Sequence, residues 1–411
     1  MSDENQPDRL HALDAVRGFA LLLGVIFHAT MSFIPGPPLW IIMDDSRGAA
    51  MGMAFFGLHI FRMTLFFLIA GFFARMMFHR RGAGGFVKDR LKRIGLPLVV
   101  GWPILMLMFV VISIWALMVS RGVDLAGLAT LPKPPAKPWE PIAVPLTHLW
   151  FLYVLLLLYA AALAIRSVVA RLDTGGTLRR GVDAMVGRAV RTPGGVAVFA
   201  IPVILALMSQ PELLPWTGIP TPDGNLIPNL PAVVGYGFAF GLGWVLQRQP
   251  DLLKAWQRFA LIHLAIAVAL GVAAYLMIDP AKGFTPTPRS AHTLAFNVLY
   301  GLSTWMSVAG LLGLSQTYLA GHSPARRYIA DASYWIYIIH LPVLMVLQVL
   351  VAKLDAPWWI KFPGILAVAF PLMFASYHLM VRGTFISAVL NGKRLPTRKD
   401  SPSSAPSLES A

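Results

Sequence analysis

The chain has 411 residues, of which 57% are hydrophobic and 13% are charged, and its mean hydropathy is +0.66. Because a soluble domain carries about 25% charged residues, this composition excludes a soluble protein of two or three domains. The 34 Lys and Arg outnumber the 19 Asp and Glu, and the lack of Cys excludes disulfides, thiolate nucleophiles and Cys-ligated metals.

Ten stretches of the chain are apolar enough to cross a bilayer as helices of about 20 residues. In chain order they are residues 12–34, 54–78, 96–119, 146–165, 194–208, 230–246, 259–277, 293–314, 333–351 and 358–381. We therefore expect an all-α fold, a polytopic membrane bundle of about ten helices that forms one domain from residue 12 to residue 382. Residues 1–11 and 383–411 are expected to be cytoplasmic tails, the second one Ser/Pro-rich and disordered.

Positive charge tests the number of spans, because cytoplasmic connections are enriched in Lys and Arg. With the N-terminus inside, ten spans place 23 basic residues on the cytoplasmic side and 8 outside, and leave Arg17, Arg62 and Arg75 within spans. Deleting the short fifth span would put 10 of the later basic residues outside and 4 inside. The distribution favours ten spans with both termini in the cytoplasm. The excess charge then reflects topology and contact with membrane lipid, so no nucleic-acid partner is expected.

The first span carries two ionisable residues on one face. Arg17 and His28 are 11 positions apart, almost three helical turns, so both project from the same side about 16 Å apart along the axis. Ionisable side chains within a membrane are costly and usually functional. One interpretation is that the pair connects a donor bound at the cytoplasmic surface with an acceptor in the outer half of the membrane. The structural alternatives are an ion pair of Arg17 with Asp14 and an interhelical hydrogen bond from His28.

More His and Arg residues are expected at the depth of His28. His59 and Arg62 lie three positions apart on one face of the second span, and His148 opens the fourth span close to Trp150. Histidine exchanges protons near neutral pH, and arginine holds a carboxylate or a developing oxyanion. No His-Glu-x-x-His or comparable spacing is present, so we expect no metal.

Two further residues allow more than one interpretation. His340, in the middle of the ninth span, is either a packing residue or part of the catalytic group. Trp139, in a Pro-rich outer connection, either stacks on sugar rings or belongs to the interfacial aromatic belt. The chain lacks a serine-hydrolase elbow, a P-loop and a dinucleotide-binding motif, which disfavours those three classes of enzyme.

The order of these motifs resembles the membrane-bound acyltransferase-3 family. Arg17 and His28 fit its Arg/Lys-x10-His signature, and residues 66–72 resemble its FF-x-x-SGF segment, with Ala70 where serine is usual. Arg90 and Arg93 fit its R-x-x-R element. The remaining matching segments are residues 148–152 and 333–340, and residues 59–63 and 93–98 are most similar to the branch of glucans biosynthesis protein C.

This resemblance implies an O-acyltransferase of the bacterial inner membrane, with acyl-CoA as co-substrate. The acyl group, succinyl in this branch, would pass from cytoplasmic acyl-CoA to a hydroxyl of a periplasmic glucan. The residues expected to take part in catalysis are His28, Arg17, Arg62 and His59, and those expected to bind acyl-CoA are Arg90, Arg93 and Arg17. The acceptor is expected to bind to His148, Trp150 and Trp139. Asp14 and His340 are expected to have structural or catalytic roles. An acetyl-CoA-dependent transferase for another surface glycan is one alternative. A secondary transporter in which the buried histidines relay protons is another, and it predicts substrate movement without acyl-CoA.

Overall fold

The structure is a computed structural model that describes residues 11–38, 40–122, 124, 127, 144–392 and 394. Its α-helices are α1 (His11–Thr30), α2 (Ala49–Arg90), α3 (Leu96–Arg121), α4 (Trp150–Leu172), α5 (Thr177–Arg191), α6 (Ile201–Met208), α7 (Leu230–Leu246), α8 (Leu252–Ala255), α9 (Ala260–Leu276), α10 (Ala291–Tyr318), α11 (Pro324–Ala352), α12 (Trp358–Ser376) and α13 (Phe385–Leu390). Leu91–Gly95 and Tyr377–Val381 are π-helical turns, and the 3₁₀ turns are Met31–Phe33, Thr147–Leu149, Gly195–Ala200, Gln257–Phe259 and Pro280–Lys282. Two short antiparallel strands, β1 (Glu212–Leu213) and β2 (Thr287–Pro288), pair Glu212 with Pro288.

Seven helical segments of the described residues are long and apolar enough to cross a membrane. One of them, Ala49–Val119, has 71 residues and contains the predicted second and third spans. Shorter apolar helices at Gly195–Met208 and Leu230–Leu246 coincide with the predicted fifth and sixth spans. Every predicted span therefore lies in a helical segment, and the predicted all-α membrane bundle is confirmed.

The long helix α2 bends at Gly82 before it reaches α3. Gly82 has φ of 68° and ψ of 177°, a conformation that only glycine adopts readily. Beyond the bend, Phe86 and Ile94 are buried, and the π turn Leu91–Gly95 leads directly into α3. The bend and the π turn bring Arg90 and Arg93 to the wall of an internal cavity.

Small residues let the central helices approach closely. A Cβ on Gly71 of α2 would overlap the Phe240 carbonyl of α7, and a Cβ on Gly243 would overlap the Leu68 carbonyl. Backbones that touch in this way need glycine at the crossing point, as is usual between membrane helices. The Gly-containing segment of residues 66–72 thus fixes α2 against α7, and α2 in turn packs beside α1.

Candidate active site

Two cavities adjoin along α1. The large cavity, of about 530 Å³, is lined by Arg17, whereas the small cavity, of about 40 Å³, is lined by His28. Four side chains line both cavities and form a partition between them: Leu21, Phe66, Phe151 and Tyr337. The rings of Phe66 and Phe151 meet edge to face with their centres 4.5 Å apart. The Arg17–His28 face of α1 therefore borders both cavities, one on each side of an aromatic partition.

Arginine dominates the charged lining of the large cavity. Among the described residues that line it are Arg17, Arg80, Arg90 and Arg93, and the single carboxylate is that of Asp14. The guanidinium of Arg17 lies 3.3 Å from the Asp14 carboxylate, which is the ion pair expected as the structural alternative. With four guanidinium groups against one carboxylate, the cavity attracts an anionic ligand.

Arg90 and Arg93 are held in place by partners of their own. Arg90 contacts the Asp89 carboxylate at 2.5 Å and lies 3.4 Å from the Tyr159 hydroxyl. The Nε and Nη2 atoms of Arg93 donate to the Leu390 carbonyl at 3.2 and 3.0 Å. A guanidinium has five N–H donors, so each residue is oriented by some donors and retains others for a ligand.

His28 and Arg62 line the small cavity. His28 Nδ1 lies 3.3 Å from the sulfur of Met31, so a neutral ring with its proton on Nδ1 presents a lone pair on Nε2. The Arg62 guanidinium carbon lies 4.6 Å from the centre of the Phe27 ring. No ion pair within the described part of the chain includes Arg62, and its buried Nε lacks a hydrogen-bond partner there. A half-buried guanidinium with a buried Nε and no carboxylate partner favours an anionic ligand.

Three imidazole rings form a row along one side of the small cavity. His340 lies in the middle, with its ring centre 5.1 Å from that of His28 and 5.1 Å from that of His148. His340 Nδ1 donates to the Tyr337 carbonyl at 2.6 Å, and His148 Nε2 donates to the Ile338 carbonyl at 3.0 Å. Among the described residues, no three His, Asp or Glu side chains are placed to hold a metal ion.

The other residues predicted from the sequence lie in different surroundings. His59 is buried beside Phe27, with ring centres 5.6 Å apart, and is absent from the described lining of both cavities. Trp150 lines the small cavity, is 7% exposed and stacks on Tyr236 at 5.6 Å. Trp139 lies outside the described residues. Trp150 is therefore an interior side chain of the site.

Two polar residues that the sequence analysis did not single out, Gln348 and Lys361, lie beyond the His28 end of α1. The Gln348 amide donates to the His28 carbonyl at 3.2 Å and accepts from Trp40 Nε1 at 2.9 Å. Lys361 forms a buried ion pair with Asp44 at 2.8 Å. Gln348 and Lys361 are both polar residues within apolar spans, and that signal alone marks them as candidates.

Comparison with known proteins places this arrangement in a family. Residues 10–378 match the model of a family described as an acyltransferase domain. Glucans biosynthesis protein C of Salmonella typhimurium is 25% identical over 397 residues, which cover 96% of this chain and 97% of that protein. The protein of the same name from Salmonella typhi is 26% identical over 341 residues, 82% of this chain and 83% of that protein.

Relatives in Escherichia coli match over a shorter segment. One glucans biosynthesis protein C from that organism is 32% identical over 153 residues, so the match spans 36% of this chain and 37% of that protein. No solved structure matches the chain significantly. The resemblance found in the sequence motifs is confirmed by the family match and by the relatives, which are named glucans biosynthesis protein C. Because the family match extends over most of its length, the chain belongs to the acyltransferase-3 family.

Proposed function

We propose that this protein is a membrane O-acyltransferase that takes its acyl group from cytoplasmic acyl-CoA and transfers it to a hydroxyl of an extracytoplasmic glucan. The observation that carries the proposal is the pair Arg17 and His28 on one face of α1. Arg17 borders an arginine-lined cavity suited to an anionic donor, and His28 borders a small cavity suited to proton transfer. The name of the relatives, glucans biosynthesis protein C, supports a glucan as acceptor.

The proposal includes ten membrane crossings in a bacterial inner membrane, with both termini in the cytoplasm. The 71-residue segment Ala49–Val119 is long enough for two crossings, since one takes about 20 residues. The distribution of 23 basic residues inside and 8 outside supports the same topology. Under this topology the large cavity lies toward the cytoplasm, where acyl-CoA is made.

Arg90, Arg93 and Arg17 would bind the phosphates of the donor. Charge-assisted hydrogen bonds from guanidinium to phosphate are short and strong, and Arg90 and Arg93 are already oriented by protein partners. The pantetheine arm would then extend along α1 and pass the partition at Phe66. This path brings the thioester carbonyl from the large cavity to His28.

His28 would act as the general base of the transfer. Its Nε2 takes the proton of the acceptor hydroxyl while the hydroxyl oxygen attacks the thioester carbonyl. The new C–O bond forms, the C–S bond breaks, and the CoA thiolate takes up the proton from His28 as it leaves. The alternative is an acyl-His28 intermediate, which would release CoA before the acceptor is bound.

Arg62 supports succinyl as the acyl group. The half-buried Arg62 guanidinium, which has no carboxylate partner among the described residues, can pair with the free carboxylate of a succinyl group. An acetyl group carries no free carboxylate, so with acetyl-CoA Arg62 would serve only the oxyanion of the thioester carbonyl. His148, Trp150 and Trp139 would contact the glycan acceptor, and His59 would support Phe27 beneath Arg62.

The test uses the purified protein in lipid nanodiscs. It is supplied with succinyl-CoA or acetyl-CoA together with a glucan, and the released CoA thiol and the mass of the glucan are measured. We expect thiol release and a glucan heavier by one acyl group, and CoA at 100 times its Kd should stabilise the fold by about 2.7 kcal/mol. Transport of glycan into proteoliposomes without acyl-CoA, together with no stabilisation by any acyl-CoA, would support the transporter instead.

A further inference from the structure

Two buried imidazole nitrogens beside His28 lack hydrogen-bond partners among the described residues. They are His340 Nε2 and His148 Nδ1. His340 is 2% exposed and His148 is 6% exposed, and both side chains line the small cavity. A buried polar atom without a partner costs free energy, so the arrangement favours a ligand that pairs with both atoms.

The backbone of α11 determines what these two nitrogens can do. In each ring the other nitrogen already donates to a carbonyl, His340 Nδ1 to Tyr337 and His148 Nε2 to Ile338. A neutral imidazole that donates through one nitrogen has a lone pair on the other. A second proton would add positive charge to a membrane interior that already holds Arg62. Both unpartnered atoms are therefore hydrogen-bond acceptors.

No group among the described residues donates a hydrogen bond to either nitrogen. The Tyr337 hydroxyl on α11 lines the same cavity but already donates to the His148 carbonyl at 2.6 Å. Arg62, His28 and Trp150 also line the small cavity and carry N–H groups, but none of them is hydrogen-bonded to either free nitrogen, and the remaining lining side chains, among them Phe66 and Phe151, are apolar. Because no third ligand is placed for a metal ion among the described residues, a metal does not explain the pair. A ligand with two O–H donors would satisfy both atoms at once.

We propose that His340 and His148 form a subsite for two hydroxyl groups of the acceptor sugar. The two ring centres are 5.1 Å apart, and the His28 ring centre lies 5.1 Å from His340 on the other side. A sugar that places its reacting hydroxyl on His28 would donate two other hydroxyls to His340 and His148, and the small cavity, of about 40 Å³, would have to widen to admit its ring. This inference rests on the proposed function and names the positioning residues for its acceptor.

Amide side chains test the subsite atom by atom. Asparagine places an amide near Nδ1 of a histidine, and glutamine places one near Nε2. Because the free atoms are His340 Nε2 and His148 Nδ1, His340→Gln and His148→Asn retain an acceptor for the sugar. His340→Asn and His148→Gln retain only the donor to the α11 carbonyl. If the two histidines have only a structural role, His340→Asn and His148→Gln should be better tolerated. If they form the subsite, His340→Gln and His148→Asn should be better tolerated.

The measurement is binding of a glucose oligosaccharide to the full-length protein in nanodiscs, with CoA binding as the reference. We expect His340→Asn and His148→Gln to raise the Kd for the oligosaccharide about tenfold, the loss of one hydrogen bond each. His340→Gln and His148→Asn should change it much less, and all four should bind CoA as the wild type does. The same ranking is expected for the KM of the glucan.

The reverse ranking within the pairs would overturn the subsite, and so would a wild-type protein that does not bind the oligosaccharide. Equal loss of oligosaccharide binding in all four variants, with lowered melting temperatures, would also contradict it. Failure of the proposed function is recognised separately. In that case the wild type binds the oligosaccharide with the expected ranking among variants but transfers no acyl group from any acyl-CoA.

Discussion

Gly24 of α1 lies directly against the guanidinium of Arg62 on α2. A Cβ at position 24 would lie 2.6 Å from a terminal nitrogen of Arg62, which is shorter than any ordinary contact between these atoms. Both residues are next to the small cavity that His28 lines. The missing side chain at Gly24 therefore sets the position of the buried cation relative to His28.

Gly24→Ala should impair the enzyme without unfolding it. The added methyl meets the end of a flexible side chain, so Arg62 moves and the helices keep their packing. Displacement of a catalytic group by about 1 Å costs up to about 100-fold in rate. We expect kcat/KM to fall 10- to 100-fold with little change in melting temperature. Gly57→Ala is the matched control, because a Cβ there would meet no atom within 4 Å. Equal activity of both variants would disprove the role of Gly24.

Arg62→Met should change the choice of donor. If Arg62 pairs with the succinyl carboxylate, its loss removes an ion pair made by succinyl-CoA but not by acetyl-CoA. Truncating one partner of a buried pair costs about 2–5 kcal/mol, so the ratio of kcat/KM for succinyl-CoA to that for acetyl-CoA should fall at least about 30-fold. Steady-state kinetics with both donors measures this ratio. An equal fall for both donors would show that Arg62 serves only the oxyanion.

His28→Ala should abolish acyl transfer while donor binding remains. Loss of a general base lowers kcat about 10²- to 10⁴-fold. The proposed site for the donor phosphates is the large cavity, on the other side of the partition from His28, so thermal stabilisation by CoA should be unchanged. His79→Ala, at an exposed position of α2, is the control for loss of a histidine. Full transfer by His28→Ala at normal expression would rule out the mechanism.

Arg93→Gln should weaken binding of the donor and leave the acceptor unaffected. Hydrogen bonds to charged groups contribute about 1.5–3 kcal/mol, so the Kd for CoA should rise about 10- to 100-fold. The neighbouring Lys92 is exposed and does not line the large cavity, so Lys92→Gln serves as the control. CoA titrations followed by thermal unfolding measure both. A similar effect of the two substitutions would indicate general attraction of the anion instead of a specific phosphate contact.

The sequence predicted the helices and the two ends of the site but not how the helices meet. Hydropathy identified apolar stretches that lie in helical segments, and helical periodicity predicted that Arg17 and His28 share one side of α1, because both signals are local. The place of His340 between His28 and His148 depends on how α11 packs against α1 and α4, and no local pattern encodes it. The contact between Gly24 and Arg62 could not be predicted for the same reason, since a lone glycine in an apolar helix has many explanations.

The buried ion pair between Lys361 and Asp44 is a feature of the structure that the sequence did not predict, and substitutions can test it. The Lys361 ammonium contacts both carboxylate oxygens of Asp44, at 2.8 and 3.0 Å, and side-chain exposure is 4% and 2% respectively. The pair joins α12 to the connection between α1 and α2. Removing one member of a buried pair leaves an uncompensated charge, which costs about 3–5 kcal/mol.

Lys361→Met should therefore lower the free energy of unfolding by about 3–5 kcal/mol, measured by thermal and denaturant unfolding in detergent. Adding Asp44→Asn should restore much of the loss, because the double variant leaves no buried charge unpaired. Lys353→Met, at an exposed position beyond the end of α11, is the control and should change stability by less than about 0.5 kcal/mol. If Lys361→Met were as stable as the control, the ion pair would not be buried as the structure places it. If the double variant were less stable than Lys361→Met, Asp44 would stabilise the connection through partners other than Lys361, such as the Ser46 backbone N–H that donates to it at 2.8 Å.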